Sequence, residues 1–482
     1  MAEKNFYITT SIAYTNAKPH IGFALELIQA DVIARYNRAK GKDVWFLTGT
    51  DEHGAKVAKK ARQENKRPQV FCDEVSNKFK ELTKVLHISN NDFIRTTDKK
   101  RHLPAVYKLW KKLQSKGDIY QKEYSGLYCL DCEAFMKRSD LIDNKCPYHK
   151  KKPEIVKEKN YFFRLSKYLK KIEKYIKTDK IKIIPLSKKN QTLAFIKKGM
   201  DDVSFSRKRD NVKWGIEVPQ NKDQLIYVWG DALANYLSAV HYADDKNKFR
   251  QYWPADIHFI GKDILKFHAL IWPAMLLSAD LPLFKKIFVH GFITVEGQKM
   301  SKSLGNIIDP FVLVKKYGVD SLRYFLLREI PASEDGDFSY KKFEERYNAD
   351  LAKGLGNLTA RIITLANKVK GQKTKDKNVI QDLKVKKEID KTLKDCQYAL
   401  EQFKFNQALA DVWKLIGFCD KYIEEQKPWQ KSDQQKTIIN DLLLALKKIA
   451  GLLGPFLPQT SENILEQITS LKSRPLFPRI ES

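Results

Sequence analysis

The chain has 482 residues, 43% hydrophobic and 11% aromatic, enough to fill about three domains at roughly 100 to 200 residues each. Its 88 Lys and Arg against 58 Asp and Glu leave a formal charge of +30, which suits a polyanionic partner through counterion release but equally a merely basic, lysine-rich protein. No run of about 18 uninterrupted apolar residues occurs and six cysteines are too few for a disulfide-built secreted scaffold, so the expectation is a soluble, cytoplasmic chain without a membrane partner.

In chain order, Phe6 to Thr10 reads as a short buried strand, and a loop with Asn16 and Pro19 leads into a helical pattern from Ile21 to Lys40. Leu25, Ile28, Val32 and Tyr36 recur there at helical spacing, and Gly41 stands where a helix stop belongs. Val44 to Thr48 is a second strand, which makes a parallel crossover unit. From about Lys112 to Gln220 the pattern gives way to a basic insertion holding a cysteine cluster. Strand character returns at Ile257 to Ile260 and at Ile287 to Gly291. Pro310 to Tyr317 and Val319 to Arg328 are short helices, and from Lys341 onward the pattern is helical, with a lysine-rich connection around Lys370 to Lys377. Residues 341–482 hold 26 Lys or Arg and 18 Asp or Glu, so the basic excess is distributed and is not a detachable tail.

Ligands of parallel sheets lie beyond the carboxyl ends of the strands, where helix N-termini point N–H groups at anions. His20 and Gly22 stand at that junction, although a lone His-x-Gly is also an ordinary turn. Downstream, Lys299 and Lys302 fall in a loop flanked by Gly297 and Gly305. Two such ammonium groups can neutralise charge building on a leaving pyrophosphate, or simply be solvated. Cys129-Leu130-Asp131-Cys132 and Cys146-Pro147-Tyr148-His149 form C-x2-C and C-x2-H pairs. Three thiolates and an imidazole suit a closed, structural Zn²⁺; disulfides would need an oxidising compartment that nothing else supports. Cys72, Cys396 and Cys419 have no partner spacing and read as plain buried residues.

The run Thr9 to Gly22 resembles the first signature of class I aminoacyl-tRNA synthetases in its methionine-specific form, and Lys299-Met300-Ser301-Lys302-Ser303 resembles the second. One departure is Phe23, where the family has a second histidine; phenylalanine cannot hydrogen-bond, so slower activation is expected. Thr48 to Gly54, Tyr227 to Tyr236 and His258 to Trp272 resemble the methionine branch specifically. The resemblance implies an α/β fold: a Rossmann-like doubly wound parallel-sheet catalytic domain with a zinc-binding insert, followed by an all-α helical bundle. Its divisions would be 1–111 and 221–290 for the two catalytic halves, 112–220 for the connective insert, 291–340 for the lysine-loop subdomain and 341–482 for anticodon binding.

It further implies activation of L-methionine with Mg²⁺-ATP to methionyl-adenylate and pyrophosphate, then transfer to the 3′ end of tRNA(Met) for initiation and elongation. His20, Lys299 and Lys302 would be catalytic, with Gly22, Gly261 and Asp263 also at ATP and Asp51 holding the substrate ammonium. Ser11, Ile12, Tyr14, Trp229, Leu233, Tyr236, Ile264, His268 and Trp272 match the family's methionine pocket, and a thioether does prefer polarizable aromatic surroundings. Singly, each of these aromatics would pass for core packing; their joint order carries the assignment. Cys129, Cys132, Cys146 and His149 match the single-zinc form, whose insert supports the tRNA acceptor end. Asn357, Arg361 and Trp429 match the anticodon-reading positions, where unstacked bases are met by stacking and edge hydrogen bonds. No appended oligonucleotide-binding barrel follows, so a monomer is expected. The rivals are another class I synthetase, such as one for cysteine, with zinc inside its pocket, and a retired paralogue that only binds RNA.

Overall fold

Parallel strands covered on both faces need near-continuous apolar runs, and Asp43–Asp51 supplies one, buried from Leu47 to Thr50. It lies inside a seven-stranded, all-parallel sheet, seen here in a computed structural model that describes residues 4–129, 134–136, 138–148, 150–301, 305–369 and 379–480. The strands run Ala13–Tyr14, Asp43–Asp51, Asn5–Thr9, Ile257–Gly261, Lys286–His290 and Lys182–Ile184, with Asp92–Arg95 also paired to Asp43–Asp51. Register sets Thr9 beside His258 and Phe6 beside Val44.

Contacts divide the chain into two compact units. The first comprises Met1–Pro19, Lys40–Lys84 and Ser89–His290, the second His20–Ala39, Val85–Ile88 and Gly291–Ser482. The first holds the parallel sheet and a four-stranded antiparallel sheet of Ala134–Met136, Ile119–Cys129, Glu154–Phe163 and Val203–Ser204. Two differences from the sequence-based divisions follow. Lys182–Ile184, inside the expected insert, is an edge strand of the parallel sheet, bonded to Lys286–His290. The helix Ile21–Ala39, expected within the first catalytic half, packs into the second unit.

The second unit explains that placement chemically. Asp31 on this helix is fully buried and takes Arg323 Nη2 at 2.8 Å. The Arg323 guanidinium, also fully buried, donates in addition to the carbonyls of Leu86, Pro455 and Phe456 at 3.1, 3.1 and 2.7 Å. A charge so enclosed is tolerable only with its donors satisfied. Around it stand Pro310–Tyr317, capped by Asp309 on Phe311 N at 2.8 Å, and Val319–Arg328. Beyond them come the long helices Leu383–Glu401, Phe405–Gln426 and Gln435–Leu453. Among the described residues no strand follows Gly336–Phe338, and no helix is long and apolar enough to cross a membrane.

Candidate active site

In the second unit His20 to Gly22, the end of the first signature, lies beside Met300 of the second. Ile21 N donates to the Ile308 carbonyl at 3.1 Å, and a β-carbon on Gly22 would lie 3.7 Å from the Met300 methyl. That β-carbon would also press on the His20 imidazole at 3.0 Å, so glycine is what lets the ring fold back over the helix start. There His20 Nδ1 accepts the Gly22 N–H at 3.1 Å. With Nδ1 accepting, the neutral ring carries its hydrogen on Nε2, and partial burial lowers the His20 pKa from its ordinary value and keeps it neutral. The ring is therefore set to donate from Nε2, as a phosphate oxygen requires.

Lys299 corrects the sequence expectation. It does not lie in an irregular loop but on the strand Gln298–Lys299, paired antiparallel to Ile293–Val295, with its side chain exposed. Gly297, at φ 75°, makes the tight turn, and its N–H goes to Asp337 Oδ1 at 2.7 Å. Asn306 fastens the base of the segment: its Oδ1 accepts from Ser301 N at 2.8 Å and its Nδ2 donates to the Lys299 carbonyl at 3.3 Å. Lys302 lies outside the described residues.

In the first unit the expected methionine residues converge. Trp229 stacks on Phe267 with centroids 3.8 Å apart and meets His268 edge-on. Tyr236 lies against His258, His268 and Trp272 at 4.3, 5.8 and 5.8 Å. Hydrogen-bond bookkeeping fixes both imidazoles. The Ile264 carbonyl, 3.0 Å from His268 Nδ1, can only accept, so Nε2 of the neutral ring accepts the Tyr236 hydroxyl at 2.8 Å. Trp272 Nε1–H donates to His258 Nε2 at 3.4 Å, leaving Nδ1–H for Thr9 Oγ1 at 2.7 Å. Burial, then the neighbouring His268, drives the His258 pKa well below its ordinary value. Leu233, Tyr236, His268 and Trp272 are buried, whereas Ser11, Ile12, Tyr14, Asp51, Trp229 and Ile264 remain partly exposed. The wall is thus apolar and aromatic, with histidine nitrogens already committed. Asp51 ends its strand, where its carbonyl accepts from Thr15 N at 2.9 Å. A β-carbon on Gly261 would stand 2.8 Å from Asp263 Oδ1, so any side chain there would displace that carboxylate.

Of the expected zinc ligands, Cys129 ends the strand Ile119–Cys129 and Cys146 sits in a turn closed by Lys150 N on the Cys146 carbonyl at 2.7 Å. Both thiols are buried; Cys132 and His149 lie outside the described residues. Among the described residues no group of three or more His, Cys, Asp or Glu could hold a metal ion. Two buried thiols, one beside a tight turn, fit a thiolate site as far as they go. Cys72, Cys396 and Cys419 are buried, with burial pushing each thiol up to about 12.

In the helical region Arg361 and Trp429 line one groove of about 300 Å³ with Ala360, Thr364, Leu365 and Ile423. Trp429 is 47% exposed, so its ring is open to stacking. Arg361 is held by Asp420 at 3.2 Å and by Glu424. Asn357 is exposed, one helical turn before Arg361.

The family described as tRNA synthetases class I (M) matches residues 6–150 and 136–363, and the anticodon-binding domain of tRNA ligase matches 382–480. The chain belongs to the methionine class I tRNA synthetases. The methionine–tRNA ligase of Caldanaerobacter subterraneus subsp. tengcongensis is 43% identical over 97% of this chain and 74% of its own length. That of Rickettsia conorii is 42% identical over 98% of this chain and 94% of its own. Among solved structures, Mycobacterium tuberculosis methionyl-tRNA synthetase in complex with methionyl-adenylate aligns with a TM-score of 0.89 and 37% identity, over 99% of this chain and 98% of that one.

Within this synthetase, sequence reasoning missed three residues that order the site. His258 was read as part of a strand and as the start of a methionine-branch stretch, with no role of its own; the register that sets it beside Thr9 supplies one. Asn306 lies three residues past the lysine motif, and only its bonds to Ser301 and Lys299 show that it fastens the segment. Phe267 reads as packing until it is found face to face with Trp229.

Proposed function

We propose that this methionine class I synthetase performs both half-reactions, with His20, Lys299 and Lys302 stabilising the phosphates of Mg²⁺-ATP. The methionine carboxylate oxygen attacks the α-phosphorus and pyrophosphate leaves; a hydroxyl of the terminal tRNA ribose then attacks the adenylate carbonyl carbon and AMP leaves. No covalent protein intermediate is involved. The reading rests above all on the end of the first signature lying beside the second, with Gly22 next to Met300 and Ile21 N on the Ile308 carbonyl five residues past Ser303. A neutral imidazole donating from Nε2 is the form that supports charge on a phosphate without itself titrating.

In the same reading Asp51 holds the substrate ammonium, and Ser11, Ile12, Tyr14, Trp229, Leu233, Tyr236, Ile264, His268 and Trp272 enclose the thioether. Gly22 belongs with His20 at ATP, and Gly261 and Asp263 attend the ribose. Asn357, Arg361 and Trp429 read the anticodon of tRNA(Met), a role supported by the shared groove of Arg361 and Trp429. Cys129, Cys132, Cys146 and His149 would hold one structural Zn²⁺, which when bound links the end of the strand Ile119–Cys129 to the turn at Cys146. The chain acts as a cytoplasmic monomer, and the divisions 1–111, 112–220, 221–290, 291–340 and 341–482 describe its tasks, if not its compact units.

The test is exchange of labelled pyrophosphate into ATP. Exchange that requires methionine is the expected result; tRNA binding without any exchange would favour a retired, RNA-binding paralogue. Lys302→Ala should depress the activation rate with little loss of methionine affinity, because its contribution arises in the transition state.

A further inference from the structure

One buried carboxylate in the first unit belongs to none of the assigned contacts. Asp231 lies on the helix Val228–Ala232, two residues after Trp229 and two before Leu233, and is 0% exposed. Its Oδ2 stands 2.6 Å from His53 Nδ1 and its Oδ1 2.7 Å from His102 Nε2. His102 Nδ1 is in turn 2.9 Å from Ser238 Oγ. That hydroxyl also donates to the Ala234 carbonyl at 2.8 Å. His53 lies two residues beyond Asp51. Trp214 covers this corner, with its ring 5.5 Å from His53, its Nε1–H on the Glu52 carbonyl at 2.6 Å and its own carbonyl accepting Gly54 N at 3.0 Å.

Removing a carboxylate from water is costly, and apolar residues of equal volume often stabilise as well or better. What a carboxylate between two imidazoles adds is direction: two charge-assisted bonds that fix three backbone segments against each other. Burial alone would raise the Asp231 pKa, but His53 and His102 outweigh it and hold the carboxyl below the ordinary range, so it stays an acceptor. The three segments are the end of strand Asp43–Asp51 with its loop, the start of helix His102–Ser115, and the helix carrying Trp229.

We propose that Asp231, clamped by His53 and His102, is a positioning residue for methionine: it holds the loop that carries Asp51 in register with the wall that carries Trp229 and Leu233. An amino acid is then gripped at its ammonium and its thioether together. This rests on the roles given above to Asp51, Trp229 and Leu233.

The experiment measures pyrophosphate exchange and ligand binding in Asp231→Asn and His53→Asn. An amide at 231 keeps the shape but can accept from only one histidine. The expected result is a KM for methionine raised about 10-fold or more, with the KM for ATP within about 2-fold of the unaltered enzyme. The deaminated analogue 4-(methylthio)butanoic acid keeps the thioether and carboxylate but lacks the ammonium that Asp51 grips, so its inhibition constant should stay within about 2-fold. Circular dichroism decides whether Asp231→Asn folds; if it does not, His53→Asn, at the more exposed edge of the cluster, carries the same expectation. A folded variant with unchanged methionine KM overturns the proposal, as does an equal loss for the deaminated analogue. Absence of methionine-dependent exchange in the unaltered protein would instead sink the functional reading.

Discussion

In the thioether wall the histidines are already committed: His258 bridges Trp272 and Thr9, and His268 bridges Tyr236 and the Ile264 carbonyl. At the phosphate end His20 has one nitrogen fixed by Gly22 and its other nitrogen left as a donor, while Lys299 is exposed on a two-residue strand. The contrast fits what each region is proposed to bind. A thioether offers almost no hydrogen bonds, so any polar group facing it must be satisfied by the protein beforehand. A triphosphate brings many acceptors and strong charge, so its binding groups must keep donors in reserve.

The largest expected effect breaks the comparison at the phosphate end. His20→Ala should cut the activation rate roughly 10²- to 10³-fold, the scale of losing one preorganised donor. The methionine KM and the thermal midpoint should change little, as read by pyrophosphate exchange and calorimetry. An equal loss in methionine binding would contradict the division of labour.

Next comes acid, which should act on the thioether wall through stability. In the unfolded chain histidine titrates near 6.5; in the fold His258 resists protonation because burial pushes its pKa well down. Below about pH 6.5 the unfolded state therefore takes up the additional proton and stability falls, by up to about 1.4 kcal/mol per pH unit for such a group. Above that pH the group contributes no slope. Urea unfolding at about pH 7, 6 and 5 reads this directly, and His258→Asn should flatten the dependence even if it lowers the whole curve.

The smallest effect sharpens the comparison. Phe23 occupies the position where the family carries a second histidine, and its N–H already serves the His20 carbonyl at 3.0 Å. Phe23→His restores a donor at the phosphate end and should raise the activation rate less than about 10-fold, the worth of one partly exposed hydrogen bond. A slower variant would mean that the ring contributes more by packing than the missing donor costs.

Much of this was legible in the residues. The strand Asp43–Asp51 and the helices Pro310–Tyr317 and Val319–Arg328 are near-continuous apolar runs or capped periodic segments, which local chemistry determines. The two signatures, and the residues proposed to meet methionine, could be named because side-chain type and order survive in a linear string. Where the helix Ile21–Ala39 packs was not: its sequence shows an apolar helix, and long-range contacts such as the buried pair of Asp31 with Arg323, 292 residues away, assign it to the second unit. Lys182–Ile184 is three residues of strand inside a basic stretch, too short for any period to show.

By itself, then, the sequence determined which chemical groups the protein carries and in what local conformations, because propensity, capping and spacing act over a few residues. The tertiary structure alone decided which nitrogen of His20, His258 and His268 holds its hydrogen, and that Asp231 joins two histidines from distant segments. Those outcomes depend on which acceptor the fold brings within about 3 Å, and a partner such as His53, 178 residues from Asp231, leaves no mark at either position in the chain.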